Sequence, residues 1–279
     1  MRVLVTGAAG RIGRAVLALL AEEGFEAHAL VLEDPGGPAA RRVVRGDACD
    51  PQAVASALDG VDAVIHLAAI PTPERHSPYE VFGANSLATF TVLEEAGRAG
   101  VRRAAVAGSW GATGLPWTAD PAPHPAYVPV DALLPAQVAD PYGLAKQTDE
   151  LTAAMMARRH GMGVVCLRYP FVGGFEERLL AHAARLRADP ALGARDLWTH
   201  LEVREAARAA LLALRVPGPG AHTVHVCAPE TLMDVPTREL LRRFHPDTEV
   251  RRPLPGRSAP VDLTAARELL GFEAEFLVP

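Results

Sequence analysis

The chain is almost without lysine. It carries 28 basic residues, and Lys146 alone is not an arginine. Cysteine is scarce as well. Cys49, Cys166 and Cys227 are odd in number and far apart, matching neither a disulfide framework nor a zinc-site spacing, and they fit a reducing, cytoplasmic compartment. No cluster of His, Cys and carboxylates has metal-ligand spacing. No apolar run reaches the roughly 18 residues that a membrane span requires. The first strand begins at residue 2, leaving no basic and then apolar leader. A formal net charge of −5 supplies no basic face for nucleic acid. What remains is 279 residues at 49% hydrophobic composition, enough for one large domain or two modest ones.

Residues 2–5 read as a short buried strand. They run into Thr6-Gly7-Ala8-Ala9-Gly10-Arg11-Ile12-Gly13, and a helical apolar pattern follows at Ile12, Val16, Leu19 and Leu20. Strand, glycine turn and helix in that order form the setting of a dinucleotide fingerprint. Gly7 permits the tight turn, Gly10 lets backbone approach a pyrophosphate, and Gly13 lets helix pack on strand. The helix N-terminus offers N–H groups and a positive dipole end to phosphates. The spacing is Gly-x-x-Gly-x-x-Gly rather than the commoner Gly-x-Gly-x-x-Gly.

Further strands are predicted at 26–32, 42–45, 61–67, 103–107 and 164–167, with helices at 51–58, 79–99 and 142–160. Repeated β-α units of this length imply a parallel sheet covered on both faces, and right-handed crossovers make it a doubly wound α/β fold. A Pro- and Gly-rich loop occupies 108–140. After Pro170 the alternation fails. Residues 1–170 therefore read as the dinucleotide-binding core. Residues 171–279 read as a small substrate-binding lobe, interleaved with the last core elements at about 201–227.

Lys146 follows Tyr142 by four residues, so both side chains project from one helix face. An ammonium near a phenol favours the phenolate, which makes tyrosine a usable acid or base. Guanidinium is a wide planar fork and does not replace a compact ammonium inside a cleft. Ser109 follows the fifth strand at the sheet edge where open α/β folds bind ligands. It can hold the reacting oxygen, or it can be a turn serine after Gly108. Asn85 is out of place in mid-helix and implies a specific partner, structural or functional. His66 ends an apolar strand and reads as a structural hydrogen-bonded residue.

The glycine motif, His66-Leu67-Ala68-Ala69, Asn85, Ser109, the Tyr142/Lys146 pair and Leu167-Arg168-Tyr169-Pro170 occur in an order that resembles the extended short-chain dehydrogenases/reductases of the NAD-dependent epimerase/dehydratase family. The resemblance implies a Rossmann core, a nicotinamide cofactor and hydride transfer. Ser109 would orient the reacting hydroxyl or carbonyl, Tyr142 exchange the proton, and Lys146 tune the tyrosine and hold the nicotinamide ribose. The implied cofactor contacts are Gly7, Gly10, Arg11, Ile12, Gly13, Asp47, Ala48, Leu67, Ala68, Ala69, Asn85, Tyr142, Lys146, Tyr169 and Pro170. It also implies a homodimer through the helices at 79–99 and 142–160. Their apolar content exceeds what one sheet face covers, and a twofold four-helix contact would close it.

NAD requires a carboxylate after the second strand for the ribose 2′-hydroxyl. Glu33 or Asp34 lies about 20 residues past the motif and can serve. Arg11, Arg41 and Arg42 keep NADP open. For the substrate, the chain is similar to the uronate dehydrogenase branch. There an Asn-His pair follows the serine; here Trp110-Gly111 stands in its place. Arg195 falls where that branch uses an arginine for the substrate carboxylate, and it can equally be a solvated surface arginine. Trp110, Trp117 and Trp198 can stack on a sugar or belong to the core. The expected function is an NAD(P)-dependent oxidoreductase for a small hydroxyl or carbonyl substrate, a sugar or sugar acid. A sugar or nucleotide-sugar epimerase or dehydratase using transient oxidation is the alternative. A non-catalytic dinucleotide sensor fits least, because the Tyr/Lys pair is kept.

Overall fold

The computed structural model describes residues 1–33, 39–118 and 123–278; Asp34 lies outside them. The first half runs β1 (Arg2–Thr6), α1 (Arg11–Glu22), β2 (Glu26–Val31), β3 (Arg42–Arg45), α2 (Pro51–Ala57), β4 (Ala63–His66), α3 (Pro78–Arg98), β5 (Arg103–Ser109) and β6 (Tyr127–Val128). The second runs α4 (Pro141–His160), β7 (Gly163–Tyr169), β8 (Phe171–Gly173), α5 (Leu180–Ala188), β9 (His200–Glu202), α6 (Val203–Ala213), β10 (Gly220–His225), α7 (Thr237–Phe244), β11 (Glu249–Val250) and α8 (Thr264–Leu270).

Seven strands form one parallel sheet in the order β10-β7-β5-β4-β1-β2-β3. The chain leaves β1 toward β2 and β3, then returns to place β4 on the other side of β1. The fold is therefore doubly wound, and its switch point lies between β1 and β4. Side chains alternate along each strand. Val3 and Val5 of β1 face the cluster under α1 and α6, while Leu4 faces the cluster under α2, α3 and α4. Both faces are covered, which is why β1 reads as an unbroken apolar run.

The helices start and stop where the sequence supplies caps. Ser77 and Glu80 form a capping box that spans Pro78 at the start of α3. Asp140 caps α4, with Pro141 in the first turn and Gly161 left-handed past its end. On α1, Gly13, Val16, Leu17 and Leu20 make the buried stripe.

The packing divides the chain differently from the expected boundary at residue 170. Trp110, Leu115, Tyr127, Val128, Val130 and Leu134 belong to the lobe core with Leu179, Leu186, Trp198 and Leu232. Ala266, Leu270, Phe272 and Ala274 return to the sheet core beside α1 and α6. The lobe is thus built from the loop before α4 as well as from the second half, and the final helix clasps the core.

Glu94 ties α3 to α4. Its buried carboxylate accepts from His160 Nε2 at 2.9 Å, Arg98 Nε at 3.1 Å and Arg159 Nη2 at 3.2 Å. The His160 hydrogen bond, outweighing desolvation, holds its pKa below the usual 4.5, with Arg159 helping. A depressed folded pKa contributes stability above the unfolded value, lost as pH falls through the folded one. Glu94→Gln is expected to cost about 1 kcal/mol at neutral pH, because the arginines are half in solvent. The difference should shrink below about pH 4.5 as the parent carboxyl also protonates. Urea midpoints across an acid pH series measure this, and a pH-independent difference would refute it.

Candidate active site

The turn after β1 lies against the turn after β4. Gly7 is left-handed at φ 63°, and a Cβ there would fall 2.7 Å from the backbone nitrogen of Ala68. A Cβ on Gly13 would fall 2.4 Å from the Gly7 carbonyl oxygen. Only glycine fits either place. Gly10 begins α1 with no side-chain cap and no acidic residue in the first turn, so the helix presents its first N–H groups over this floor, a cradle suited to phosphate.

Thr6 and His66 fix the two turns to each other. Thr6 Oγ1 accepts from the backbone N–H groups of Leu67 and Ala68, each at 3.2 Å. Its own hydrogen therefore goes to His66 Nδ1 at 2.7 Å, leaving Nε2–H to donate to Thr89 Oγ1 at 3.1 Å. Burial, with the charge of Lys146, pulls the imidazole down to about 3, so His66 is a neutral strut. Asn85 also has its partner. Oδ1 accepts from Ile70 N at 2.7 Å and Nδ2 donates to Ile70 O at 3.0 Å, pinning the segment that continues from Ala69. Thr6 gave no signal of this role in the sequence, where it only opens the glycine segment after the strand at 2–5.

At the far end of the cradle Leu32 and Glu33 are exposed beyond β2. Asp47 Oδ1 accepts from Cys49 N at 2.9 Å, and Asp50 rather than Asp47 caps α2. Ala48 is buried between them. Arg41 pairs with Glu26 at 2.6 Å, Arg42 with Asp59 at 3.3 Å, and Arg11 with Glu177 at 2.7 Å. Each arginine that kept NADP open is thus engaged by a carboxylate.

Ser109 is the last residue of β5, and its Oγ accepts from Gly111 N at 3.0 Å. The Asp140 cap, through Oδ1 and Gly143 N at 2.8 Å, sets Tyr142 in the first turn of α4. A Cβ on Gly143 would meet the Gly111 carbonyl at 2.7 Å, so this turn sits directly on the end of β5. The point where a Gly111 Cβ would stand is 3.1 Å from Tyr142 Cε1 and 3.3 Å from Ser109 Oγ. The phenol and the hydroxyl flank one spot. Lys146 follows one turn later, its Nζ 5.8 Å from the Tyr142 ring centroid. That ammonium is 3% exposed and donates to Ala107 O at 2.9 Å and Asp149 Oδ2 at 3.0 Å. Burial pulls its pKa down, while the Asp149 carboxylate and Tyr142 pull it up, and the net result lies above the usual value. Asp149 escaped the sequence reading, although its i+3 spacing from Lys146 was visible.

The profile of the NAD dependent epimerase/dehydratase family matches residues 3–227. The chain belongs to that family. Uronate dehydrogenase of Pseudomonas putida is 34% identical over 172 residues, covering 60% of this chain and 59% of that enzyme. The chain thus aligns with less than two thirds of that relative's length. UDP-glucose 4-epimerase of Streptomyces lividans is 28% identical across 97% of this chain and 91% of its own. The solved structure of MoeE5 in complex with UDP-glucuronic acid and NAD superposes with a TM-score of 0.71 at 26% identity, over 99% of this chain and 94% of that one.

The lobe side of this family member carries the remaining candidates. Trp110 is 3% exposed in the lobe core, with its indole N–H on the Arg195 carbonyl at 3.2 Å. Trp198 is fully buried, and its indole donates to Pro190 O at 2.7 Å. Both are packed rather than presented, while Trp117 is half-buried. Arg195 is half-buried, not a solvated surface arginine, and donates to Thr118 O at 2.6 Å. It precedes Leu197 and Trp198, both left-handed at φ 50° and 55°, a conformation costing about 1–2 kcal/mol per non-glycine residue. The Tyr169 hydroxyl donates to Ala206 O at 2.9 Å. Its side chain faces α6, with half-buried Pro170 beyond it. Phe171 lies between the Arg178 guanidinium, 3.9 Å from its centroid, and the stacked His182 ring at 3.7 Å. That sandwich had no counterpart in the sequence analysis.

Thr6→Val keeps the shape but strips the hydroxyl from Ala68 N–H and the His66 ring. A loss of about 1–3 kcal/mol is expected for buried groups left unpaired. Thermal unfolding of the variant measures it, and an unchanged midpoint would show that the hydroxyl does not join the two turns.

Proposed function

We propose that this protein is an NAD-dependent oxidoreductase acting on a hydroxyl or carbonyl of a small sugar or sugar acid. The observation that carries this reading is the convergence of Ser109, Tyr142 and Lys146 beside the Gly7–Gly13 cradle. The cradle fits a dinucleotide. Its floor excludes a Cβ, and the uncapped α1 N-terminus supplies phosphate donors. In this reading Glu33, exposed beyond β2, serves the ribose 2′-hydroxyl, and Asp47, just after β3, serves the adenine side. Arg11, Ile12, Leu67, Ala68, Ala69, Asn85 and the backbone at Tyr169 and Pro170 line the same crevice in this reading. When bound, the nicotinamide ring supplies the hydride acceptor or donor. Ser109 then holds the substrate oxygen and Tyr142 takes or returns its proton. Lys146 keeps positive charge beside the phenol and offers a hydrogen bond to the ribose. The relatives named uronate dehydrogenase and the MoeE5 complex with a nucleotide sugar acid and NAD support the substrate class and the cofactor.

An epimerase or dehydratase that oxidises its substrate only transiently is the second reading, favoured by the likeness to the Streptomyces lividans epimerase. A cytoplasmic location is supported by the three free cysteines, two of them buried. No helix among the described residues is long and apolar enough to cross a membrane.

A panel of sugars, sugar acids and nucleotide sugars with NAD and NADP, followed at the reduced-nicotinamide absorbance, separates the readings. Net reduction of NAD by a free sugar or sugar acid is expected. Product formation without reduced cofactor would shift the assignment to the second reading, and a preference for NADP would overturn the role given to Glu33. On the substrate so found, Tyr142→Phe is expected to cut turnover by about 10²-fold or more with cofactor binding retained. Lys146→Arg should fold yet lose most activity. Near-parent turnover in either folded variant would defeat the assignment.

We also propose a homodimer through α3 and α4. Tyr79, Phe82, Leu87 and Phe90 form an exposed stripe on α3, and Leu144 and Leu151 on α4, with Tyr79 89% and Leu151 71% exposed. Stripes this large on adjacent helices are matched by their own copies across a twofold axis. Light scattering is expected to give twice the 29.6 kDa chain mass at micromolar concentration, and Leu151→Glu to return it to one. A parent of single-chain mass would rule the dimer out.

A further inference from the structure

Lys146 and Asp149 form an ion pair closed off from solvent, with side chains 4% and 1% exposed and Nζ to Oδ2 at 3.0 Å. The other carboxylate oxygen, Asp149 Oδ1, is buried with no hydrogen-bond partner. A structural ion pair recovers its desolvation cost by satisfying both oxygens. Here one oxygen is spent on the lysine and the other is left bare, so the carboxylate is fitted to the ammonium rather than to a network. The ammonium has three N–H donors. One goes to Ala107 O and one to Asp149. On a tetrahedral nitrogen, two fixed donors determine the direction of the third.

The surroundings single out Asp149 as the counter-charge. On α4, Tyr142 lies one turn back and Glu150 is committed to Arg168 in a double hydrogen bond of 2.7 and 2.9 Å. From β4 comes His66, held neutral by burial. From β7 come Arg168 and Cys166, whose thiol burial pushes far up. From β10 comes His225, pulled down to about 3 by burial and by Arg168. β5 offers the Ala107 carbonyl, and α3 offers the Thr89 hydroxyl through His66.

We propose that Asp149 is a positioning residue, keeping Lys146 charged in its buried place and turning its remaining N–H toward the Tyr142 side of the cleft. The proposal rests on the reading of Tyr142 and Lys146 as the reacting pair. The sign follows from the opposing effects on the lysine. Burial lowers its proton affinity and Asp149 raises it, so without the carboxylate the ammonium loses its proton at lower pH.

The solitary lysine makes the test direct. Lysine labelled at the side chain gives one resonance, assignable without mutagenesis, and its titration is read in the intact protein with and without NAD. In the parent it should remain an ammonium through about pH 10. In Asp149→Asn, which keeps the shape and removes the charge, the midpoint should fall by at least about one pH unit, roughly tenfold in proton affinity. The alkaline limb of kcat against pH should move in the same direction, with kcat reduced more than KM is raised. An unmoved lysine midpoint in Asp149→Asn overturns the proposal. So does a parent resonance that titrates below about pH 10, a measurement that needs no variant to fold. A shifted lysine midpoint with an unmoved activity limb sustains the role of Asp149 and instead overturns the role given to Lys146 in the reaction.

Discussion

All seven strands of the main sheet run in one direction with both faces covered, and the site depends on that constraint. Polar main-chain groups inside the sheet are used up in the ladder. Free backbone groups and polar side chains collect where strands end, and in a parallel sheet the C-terminal ends share one edge. Gly7 follows β1, Leu67 follows β4, Ser109 ends β5 and Pro170 follows β7. Four chain segments distant in sequence therefore meet without any long-range device beyond strand pairing. The switch between β1 and β4 opens the crevice between the first two, and the Thr6–His66–Thr89 relay holds its walls at fixed separation.

The fold was legible because its signals are periodic. Buried strands read as unbroken apolar runs, α1 as a 3.6-residue stripe, and α3 and α4 as the long helices expected at 79–99 and 142–160. The glycine turn and the Tyr142–Lys146 spacing were legible for a related reason: each lies within one element, so local geometry alone sets the relation. What required tertiary packing was not legible. Trp110 looks the same in sequence whether it stacks on a ligand or fills the lobe core. Its place in the lobe core decides the matter, with the indole N–H on the Arg195 carbonyl and the His225 ring edge-on at 5.5 Å. The left-handed Leu197 and Trp198 carry no glycine to announce them. Residues 266–274 gave no sign that they close over α1 and α6 rather than over the lobe. Asp149 had a visible spacing but an invisible burial, and burial gives a carboxylate near a lysine its weight.

The scarcity of lysine acquires its meaning from how the arginines are used. Arg168 holds Glu150 with both arms of its fork. Arg178 lies over Phe171, and Arg251 lies 3.4 Å from the centroid of Tyr127. Arg2 bridges Glu26 and the Gly60 carbonyl. Each arrangement uses planarity or several donors in one plane, which guanidinium has and ammonium lacks. The place beside Tyr142 asks for the opposite. Ala107 O and Asp149 Oδ2 stand about 3 Å from a single nitrogen, and a third donor must leave that nitrogen in another direction. A planar fork cannot converge its donors that way, and its extra width would fall against β5 and β7, whose side chains on the α4 face there are Val106 and Cys166. The fork serves where donors lie in one plane, on the surface or buried as at Arg168, and the point charge serves where donors must diverge from a single nitrogen beside Tyr142.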